Sequence, residues 1–421
     1  MSLFSLLIIA IVTIPFLVLY AKELFPYFLL AQFYSLPLLV ILKTNDIGTF
    51  TIGFQVLTLI TGVVLFLRNL DKVTLSPGVV GFMLLTFLCL YGFFIPQTNS
   101  TPMIVKVIAS KSILFPIIIS VVFFVINDKK YIRKIVNLTF FVCIANAIAG
   151  VIQLRLGTQK LIALGLPYGT QIREFRSGRV RALGLSLTNF EFALFSGLTA
   201  IICYAVITRI ILVGDVSRLF AGITLLASVV SMYTSITRQG IFLPLIGIAF
   251  LEIVRPRNAI RIYTQIYFFF ILIIILLFAN NLFLQSDSFF GRIQLWRSLL
   301  REYGVFLGNG IGFCGGATTS SFARNISQIF VDNFFISIFL QVGVIGLILY
   351  AATLCGFFYN TNSLGKSVMI SIILTSFITE LWDYTSVANL AIMIVATVGN
   401  KNFSKSNVLD HRADAILVSE T

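Results

Sequence analysis

Charged and amide side chains interrupt the apolar stretches of this chain at a few places, and those places define the chemistry open to it. Arg238 stands in Thr234-Ser-Ile-Thr-Arg-Gln239, and Glu191 lies just after Arg181-Ala-Leu-Gly184. Asp332 and Asn333 open Val331-Asp-Asn-Phe-Phe335, and Glu380 and Asp383 flank Trp382. Inside a bilayer such a charge costs roughly 2.5–3.5 kcal/mol on insertion scales, so each is a functional suspect. Two long polar connections add to them. The first, about 155–184, carries Arg155, Lys160, Arg173, Arg176, Arg179 and Arg181 against Glu174 alone. The second, about 285–328, holds Gly291-Arg-Ile-Gln-Leu-Trp-Arg-Ser-Leu-Leu-Arg301 and then Phe306-Leu-Gly-Asn-Gly-Ile-Gly312. The planar fork of arginine binds two phosphate oxygens at once and does not lose its charge. Arginines from three segments, near a carboxylate and an amide, describe a site for a diphosphate at a lipid surface.

Each of these residues also has a structural reading. Asp332 could cap a helix, accepting from free backbone N–H groups. Glu191 could be an interior partner for an arginine, Glu380 and Asp383 could mark a solvated turn, and Arg238 could snorkel to the interface. At about 100° per residue, Ile293, Trp296, Leu299 and Leu300 fall on one side of a helix, with Arg297 and Arg301 beside them. That pattern predicts a short amphipathic helix in the membrane interface, which could be no more than an anchor. The glycine run 308–312 could cradle phosphate in its backbone, but no strand precedes it, so a nucleotide-binding fold is excluded. The one histidine, His411, lies in the polar tail, which argues against a histidine metal centre or base. Cys89, Cys143, Cys203 and Cys355 sit in apolar stretches and Cys314 in a polar loop. An odd count without CxxC spacing argues against a disulfide framework and a zinc site.

The elements that must position these groups follow from composition. Of 421 residues, 58% are hydrophobic and 11% charged, against about 25% charged in a soluble domain. A soluble enzyme, a disordered chain and a secreted disulfide scaffold are excluded. The fold class expected is an all-α polytopic membrane protein of about 12–13 helices, since each span needs roughly 20 apolar residues. The helices are expected near 3–21, 25–42, 48–67, 77–95, 104–127, 135–153, 186–208, 218–236, 239–254, 262–284, 329–357, 367–380 and 384–399. Residues 1–400 form one transmembrane domain without internal repeats or glycine- and proline-broken helices at matched positions, and 401–421 a polar tail. The start lacks the basic region and cleavage site of a signal peptide and is expected to remain as a helix.

Charge orients the bundle ambiguously. The balance is +14, from 30 Lys+Arg against 16 Asp+Glu. Lys129, Lys130, Arg133 and Lys134, with Arg255, Arg257 and Arg261, belong in the cytoplasm by the positive-inside rule. Both long loops then face outward, although 155–184 is the most basic segment of all. A loop that breaks the rule suits an anionic substrate; a helix count off by one would instead return it to the cytoplasm.

Taken in order, Arg181-Ala-Leu-Gly184, Ser235-Ile-Thr-Arg238, Arg292 with Trp296, Gly308-Asn-Gly-Ile-Gly312 and Asp332-Asn-Phe-Phe…Gly343-Val-Ile-Gly346 resemble the O-antigen polymerase and ligase family of bacterial surface-polysaccharide assembly. The likeness covers about 179–346. It implies a multi-helix inner-membrane glycosyltransferase that needs no cofactor, nucleotide sugar or metal, with both basic loops outside. Its substrates would be oligosaccharides on undecaprenyl diphosphate, and its partners membrane lipids, a chain-length regulator and a flippase. Ligases of this family commonly carry a histidine near the helix opened by Asp332; its lack here favours a polymerase. In that reading Arg181, Arg238 and Arg292 bind the diphosphate, with Arg179 and Arg297 behind them. Asp332 is the base or orients the attacking hydroxyl, Asn333 and Trp296 meet sugar, and Glu191 lines the site. The alternatives are a ligase, a transporter or flippase of lipid-linked sugar, and a structural protein.

Overall fold

The structure is a computed structural model describing residues 16–41, 47–69, 77–95, most of 102–110, 128–166, 180–210, 216–254, 288–304, 306–315, 333–377 and 385–399, with single positions at 329, 331 and 379. Every element of it is helical. Expected helices at 3–21, 104–127 and 262–284 lie wholly or mostly outside these residues, as do the tail and the basic run at 255–261.

The helices are α1 (Ala21–Leu30), a 3-10 turn (Ala31–Phe33), α2 (Leu36–Ile41), α3 (Ile47–Arg68), α4 (Pro77–Phe94), α5 (Lys129–Ala163), α6 (Asn189–Ile207) and α7 (Arg218–Ser235). After them come α8 (Arg238–Val254), α9 (Ser288–Tyr303), α10 (Phe334–Tyr359), α11 (Ser363–Ser376) and α12 (Thr385–Ala396). Among the described residues, four segments are long and apolar enough to cross a membrane: Lys130–Ala163, Asn189–Ile207, Arg218–Ser235 and Phe334–Tyr359. The chain is therefore a helical membrane protein. Its outer surface agrees, because Leu226, Tyr233 and Ile348 on those helices stand exposed among other large apolar side chains.

Helix starts are written locally. Asp128 Oδ1 accepts from the Lys130 and Tyr131 N–H groups at 3.0 and 3.3 Å and opens α5. Thr188 is the N-cap of α6, its Oγ1 accepting from Glu191 N at 3.1 Å. Asn362 caps α11 through Gly365 N at 3.1 Å. Neighbouring helices then meet at small residues, as expected where lipid supplies no hydrophobic drive between them. A Cβ on Gly240 of α8 would lie 2.5 Å from Ala193 Cβ of α6. One on Gly247 would lie 2.6 Å from Ser371 Oγ of α11, and Ser367 Oγ donates to Gly247 O at 2.7 Å.

Two expectations need correction, and one feature goes beyond them. The helix expected over 25–42 is split, because Leu36 N–H donates to Leu185 O at 2.9 Å rather than up its own helix. The loop expected from 155 begins later: α5 runs on to Ala163, kinked at Gly157 where φ is 75°. Finally, a glycine break does occur inside a long apolar helix. Gly343 sits in α10 with φ 66° and ψ −163°, and the helix runs on either side of it. The two breaks stand at opposite ends of their helices, late in α5 and early in α10, so no matched pair results.

Hydrogen bonds fix the two ends of the bundle. At one, Lys22 Nζ meets Asp128 Oδ2 at 3.1 Å and Asn362 N donates to Gly399 O at 2.6 Å. At the other, Ala182 N donates to Thr234 O at 3.0 Å, and Asn333 Nδ2 donates to Phe377 O at 3.0 Å. The second end collects the starts of α6, α8, α10 and α12, and it is where the suspect residues lie.

Candidate functional site

The Arg181-Ala-Leu-Gly184 turn is held by two amides from α5. Gln153 Oε1 accepts from Leu183 N at 2.8 Å and Gly184 N at 3.0 Å, while its Nε2 donates to Gly184 O at 2.6 Å. One face further along, Asn146 Oδ1 accepts from Leu185 N at 2.8 Å and its Nδ2 donates to Phe33 O at 2.6 Å. Gly184 has φ 59°, and a Cβ there would lie 2.5 Å from Asn146 Oδ1. Buried amides are costly unless satisfied, so these two specify the turn. Sequence reasoning missed both; the signal was an amide spaced seven residues from another inside an apolar helix.

That turn is joined to the one carrying Arg238. Ala182 N bonds Thr234 O, and Asn189 Nδ2 donates to Thr237 Oγ1 at 3.2 Å. Ile236 takes the left-handed conformation at φ 50°, which ends α7 and lets α8 start at once with Arg238. Arg238 is half-buried, and the charge of Arg292 acts on it. Two arginines from separate elements are therefore close enough for the charge of one to act on the other, and the Arg181 turn is bonded to the turn that carries Arg238. The helix starts gathered here add partial positive charge of their own.

Glu191 lies in the same layer, but its carboxylate serves the helix ends. It is buried; Oε1 accepts from Ser386 Oγ at 2.7 Å and Oε2 from Thr188 Oγ1 at 3.3 Å. It ties the start of α6 to the start of α12.

The amphipathic helix forms as expected, with its inward face reassigned. Arg292 and Trp296 are half-buried and Leu299 is buried, whereas Ile293, Leu295, Arg297, Leu300 and Arg301 are exposed. The inward stripe is thus Arg292–Trp296–Leu299, at i, i+4 and i+7. Arg297 points away from Arg292, so it does not stand behind the arginine pair. Trp296 packs with Leu299, Phe313, Cys314, Val331 and Leu340. Its indole N–H is buried without a protein acceptor.

The glycine run is not a phosphate cradle, because its donors are already used. Asn309 N donates to Leu340 O at 2.9 Å, Gly310 N to Gln341 O at 2.7 Å and Ile311 N to Gly92 O at 3.2 Å. Gly312 N donates to Gln341 Oε1 at 2.9 Å. In return Val344 N, displaced by the break at Gly343, donates to Phe306 O at 3.0 Å. The run fills the break in α10.

Asn333 also has a structural post. It is the N-cap of α10: Oδ1 accepts from Phe335 N and Ile336 N at 3.0 and 3.1 Å, and Nδ2 holds Phe377 O. Its amide thus holds the start of α10, and the cap considered for Asp332 is filled by its neighbour. Asp332 itself, Arg179, Glu380 and Asp383 lie outside the described residues. Hydrogen bonds join the Arg181 turn and the start of α6, which carries Glu191, to the turn before Arg238, and the charge of Arg292 reaches Arg238. No protein-family model matches this chain, and no curated protein is found to be similar to it.

Proposed function

We propose that this chain is a membrane glycosyltransferase that joins oligosaccharide repeat units carried on undecaprenyl diphosphate, a polysaccharide polymerase working at the outer face of the bacterial inner membrane. The observation that carries this reading is that the charge of Arg292, from α9, acts on Arg238 at the start of α8. A diphosphate is attracted to both charges at once, and the planar fork of each arginine matches its oxygens. The Arg181 turn, bonded to the Arg238 turn, supplies a third cation on the same side.

In the reaction a sugar hydroxyl attacks the anomeric carbon of the donor. A new C–O bond forms as the bond to the lipid diphosphate breaks, and the electron pair leaves with the diphosphate. Fixed cations aimed at that developing charge act most strongly in the transition state. Asp332 takes the proton of the attacking hydroxyl. That Asn333 is the helix cap supports an active role for Asp332, since the structural alternative is occupied.

Orientation follows from charge. Lys130, Arg133 and Lys134 in the first turns of α5, Arg209 after α6, Arg218 at the start of α7 and Lys366 in α11 belong to the end opposite the site. By the positive-inside rule that end is cytoplasmic, and about 12–13 spans complete the bundle. A broken helix is also a mark of secondary transporters, where its freed groups face the cargo. Here they are filled by residues 306–312, which favours the enzyme.

The test is direct. Purified protein is given oligosaccharide on undecaprenyl diphosphate, and products are separated on a gel. A ladder of lengthening glycans is expected. Transfer of one glycan to a lipid A–sugar acceptor would make the chain a ligase, and movement of the lipid between leaflets without reaction would make it a transporter.

A further inference from the structure

We propose that Asn309 is a positioning residue: it fastens the amphipathic helix α9, and with it Arg292, to the bundle at the break in α10. The proposal rests on the glycosyltransferase reading of Arg292.

Helix α9 lies on the bundle by a single stripe, and most of its surface is exposed. Something must fix its tilt. Asn309 Nδ2 donates to Tyr303 O, the last carbonyl of α9, at 2.8 Å, and to Leu340 O at 3.0 Å. Both partners are carbonyl oxygens, so only the NH₂ side of the amide can face them and its orientation is determined. Both lack a helical donor. Carbonyls in the last turn of any helix have none, and Leu340 O loses the Val344 N–H, which points to Phe306 O. The backbone N–H of Asn309 adds a third bond, to the same Leu340 O at 2.9 Å. One side chain thus spans two carbonyls left over by two different elements.

The rest of the contact only permits this. Gly308 has φ 82°, and a Cβ on it would lie 2.5 Å from Gly343 N. Close backbone approach therefore brings the loop into the break, and Asn309 makes the link to α9. Arg292 stands three helical turns from Tyr303, about 16 Å at 1.5 Å per residue. A tilt of roughly 10° about Tyr303 would move Arg292 by about 3 Å, and a displacement of about 1 Å can cost on the order of 100-fold in rate. Asn309 is well placed to set that tilt.

The experiment compares Asn309→Asp, which presents only acceptors, with Asn309→Ser, which keeps the backbone bond and loses the reach to Tyr303. Each full-length variant is assayed for chain extension on oligosaccharide undecaprenyl diphosphate, beside Arg292→Ala and the double variant Arg292→Ala/Asn309→Ser. Membrane content is measured for all. Chain extension should fall about 100-fold in both Asn309 variants at unchanged membrane content. The double variant should be no worse than Arg292→Ala alone, because the two changes remove one function. A spectroscopic readout reports the tilt directly. The chain has 2 Trp, so in a Trp382→Phe background Trp296, one turn from Arg292, is the sole indole; its emission should shift to the red in the Asn309 variants.

Full chain extension with unmoved Trp296 emission, while Arg292→Ala is inactive, would overturn the positioning role and leave the enzyme reading standing. Wild-type ladders from Arg292→Ala would overturn the enzyme reading itself. Should neither Asn309 variant accumulate in the membrane, Asn309 holds the bundle together rather than placing Arg292, and the proposal fails.

Discussion

Arg238 begins α8 and Arg292 lies in the second turn of α9, and the charge of one acts on the other. Neither position is dictated by membrane topology. Arg238 sits at the shortest turn between two helices, and Arg292 points inward from a helix whose other arginines face out. Under the proposed function both charges serve the diphosphate of the donor.

Under the proposed function, Arg238→Ala and Arg292→Ala each abolish chain extension while the protein still inserts. Lysine at either position restores only part of the activity, since an ammonium is a point charge and cannot grip two oxygens in one plane. Arg297→Ala, on the exposed face, leaves the rate within about twofold, its loss being a surface change. Gel ladders from equal amounts of membrane protein measure all three.

Asp332 and Asn333 separate by what they lose. Asp332→Asn removes a proton acceptor and lowers the rate by about 100-fold or more, with the melting temperature unchanged. Asn333→Ala removes the α10 cap and costs about 1 kcal/mol of stability. A thermal melt in detergent beside initial rates distinguishes them; equal loss of stability in both would remove the assignment of Asp332 as base.

Gly308 and Gly343 meet backbone to backbone. A Cβ on Gly343 would collide with Phe306 O and lie 2.7 Å from Gly308 N, and both glycines have positive φ. Gly343→Ala and Gly308→Ala should each destabilise by at least about 1–3 kcal/mol, the scale of a strained backbone residue. By contrast Gly222→Ala, where a Cβ meets nothing within 4 Å, should be neutral or slightly stabilising by helix propensity. Melting temperatures of the three variants check this.

At the opposite end, Asp128 supplies a pH dependence. Burial pushes its carboxyl up, but the hydrogen bond from Lys22 and the N–H groups of Tyr131 and Lys130 outweigh that and hold it below its usual value. A depressed carboxyl stabilises above the unfolded pKa of about 4, and the contribution disappears as pH falls through the folded value. Asp128→Asn should therefore be less stable than the parent at pH 7 and equal to it near pH 2. Because Lys22 and Asp128 are 51% and 43% exposed, Lys22→Ala should cost under about 1 kcal/mol.

Composition alone determined that this chain is a helical membrane protein, because a charged fraction of 11% cannot cover a water-facing surface. The arginines worth suspecting were also legible, since an arginine at the edge of an apolar run is expensive wherever the run is buried. Apolar stretches put helix starts near 135, 186 and 367, whereas the structure starts them at the caps Asp128, Thr188 and Asn362, as capping is local. What tertiary structure decided is which side of each element meets the bundle. The period of α9 gave a stripe of Ile293, Trp296, Leu299 and Leu300 with Arg297 and Arg301 beside it; packing on Leu340 and Phe313 instead turned Arg292, Trp296 and Leu299 inward. The run Gly308–Gly312 has the composition of a phosphate loop, yet its N–H groups are consumed by Leu340, Gln341 and Gly92. Hydrogen-bond partners so far apart in the chain leave no mark on local sequence, and they, rather than the glycines, determine what the loop does.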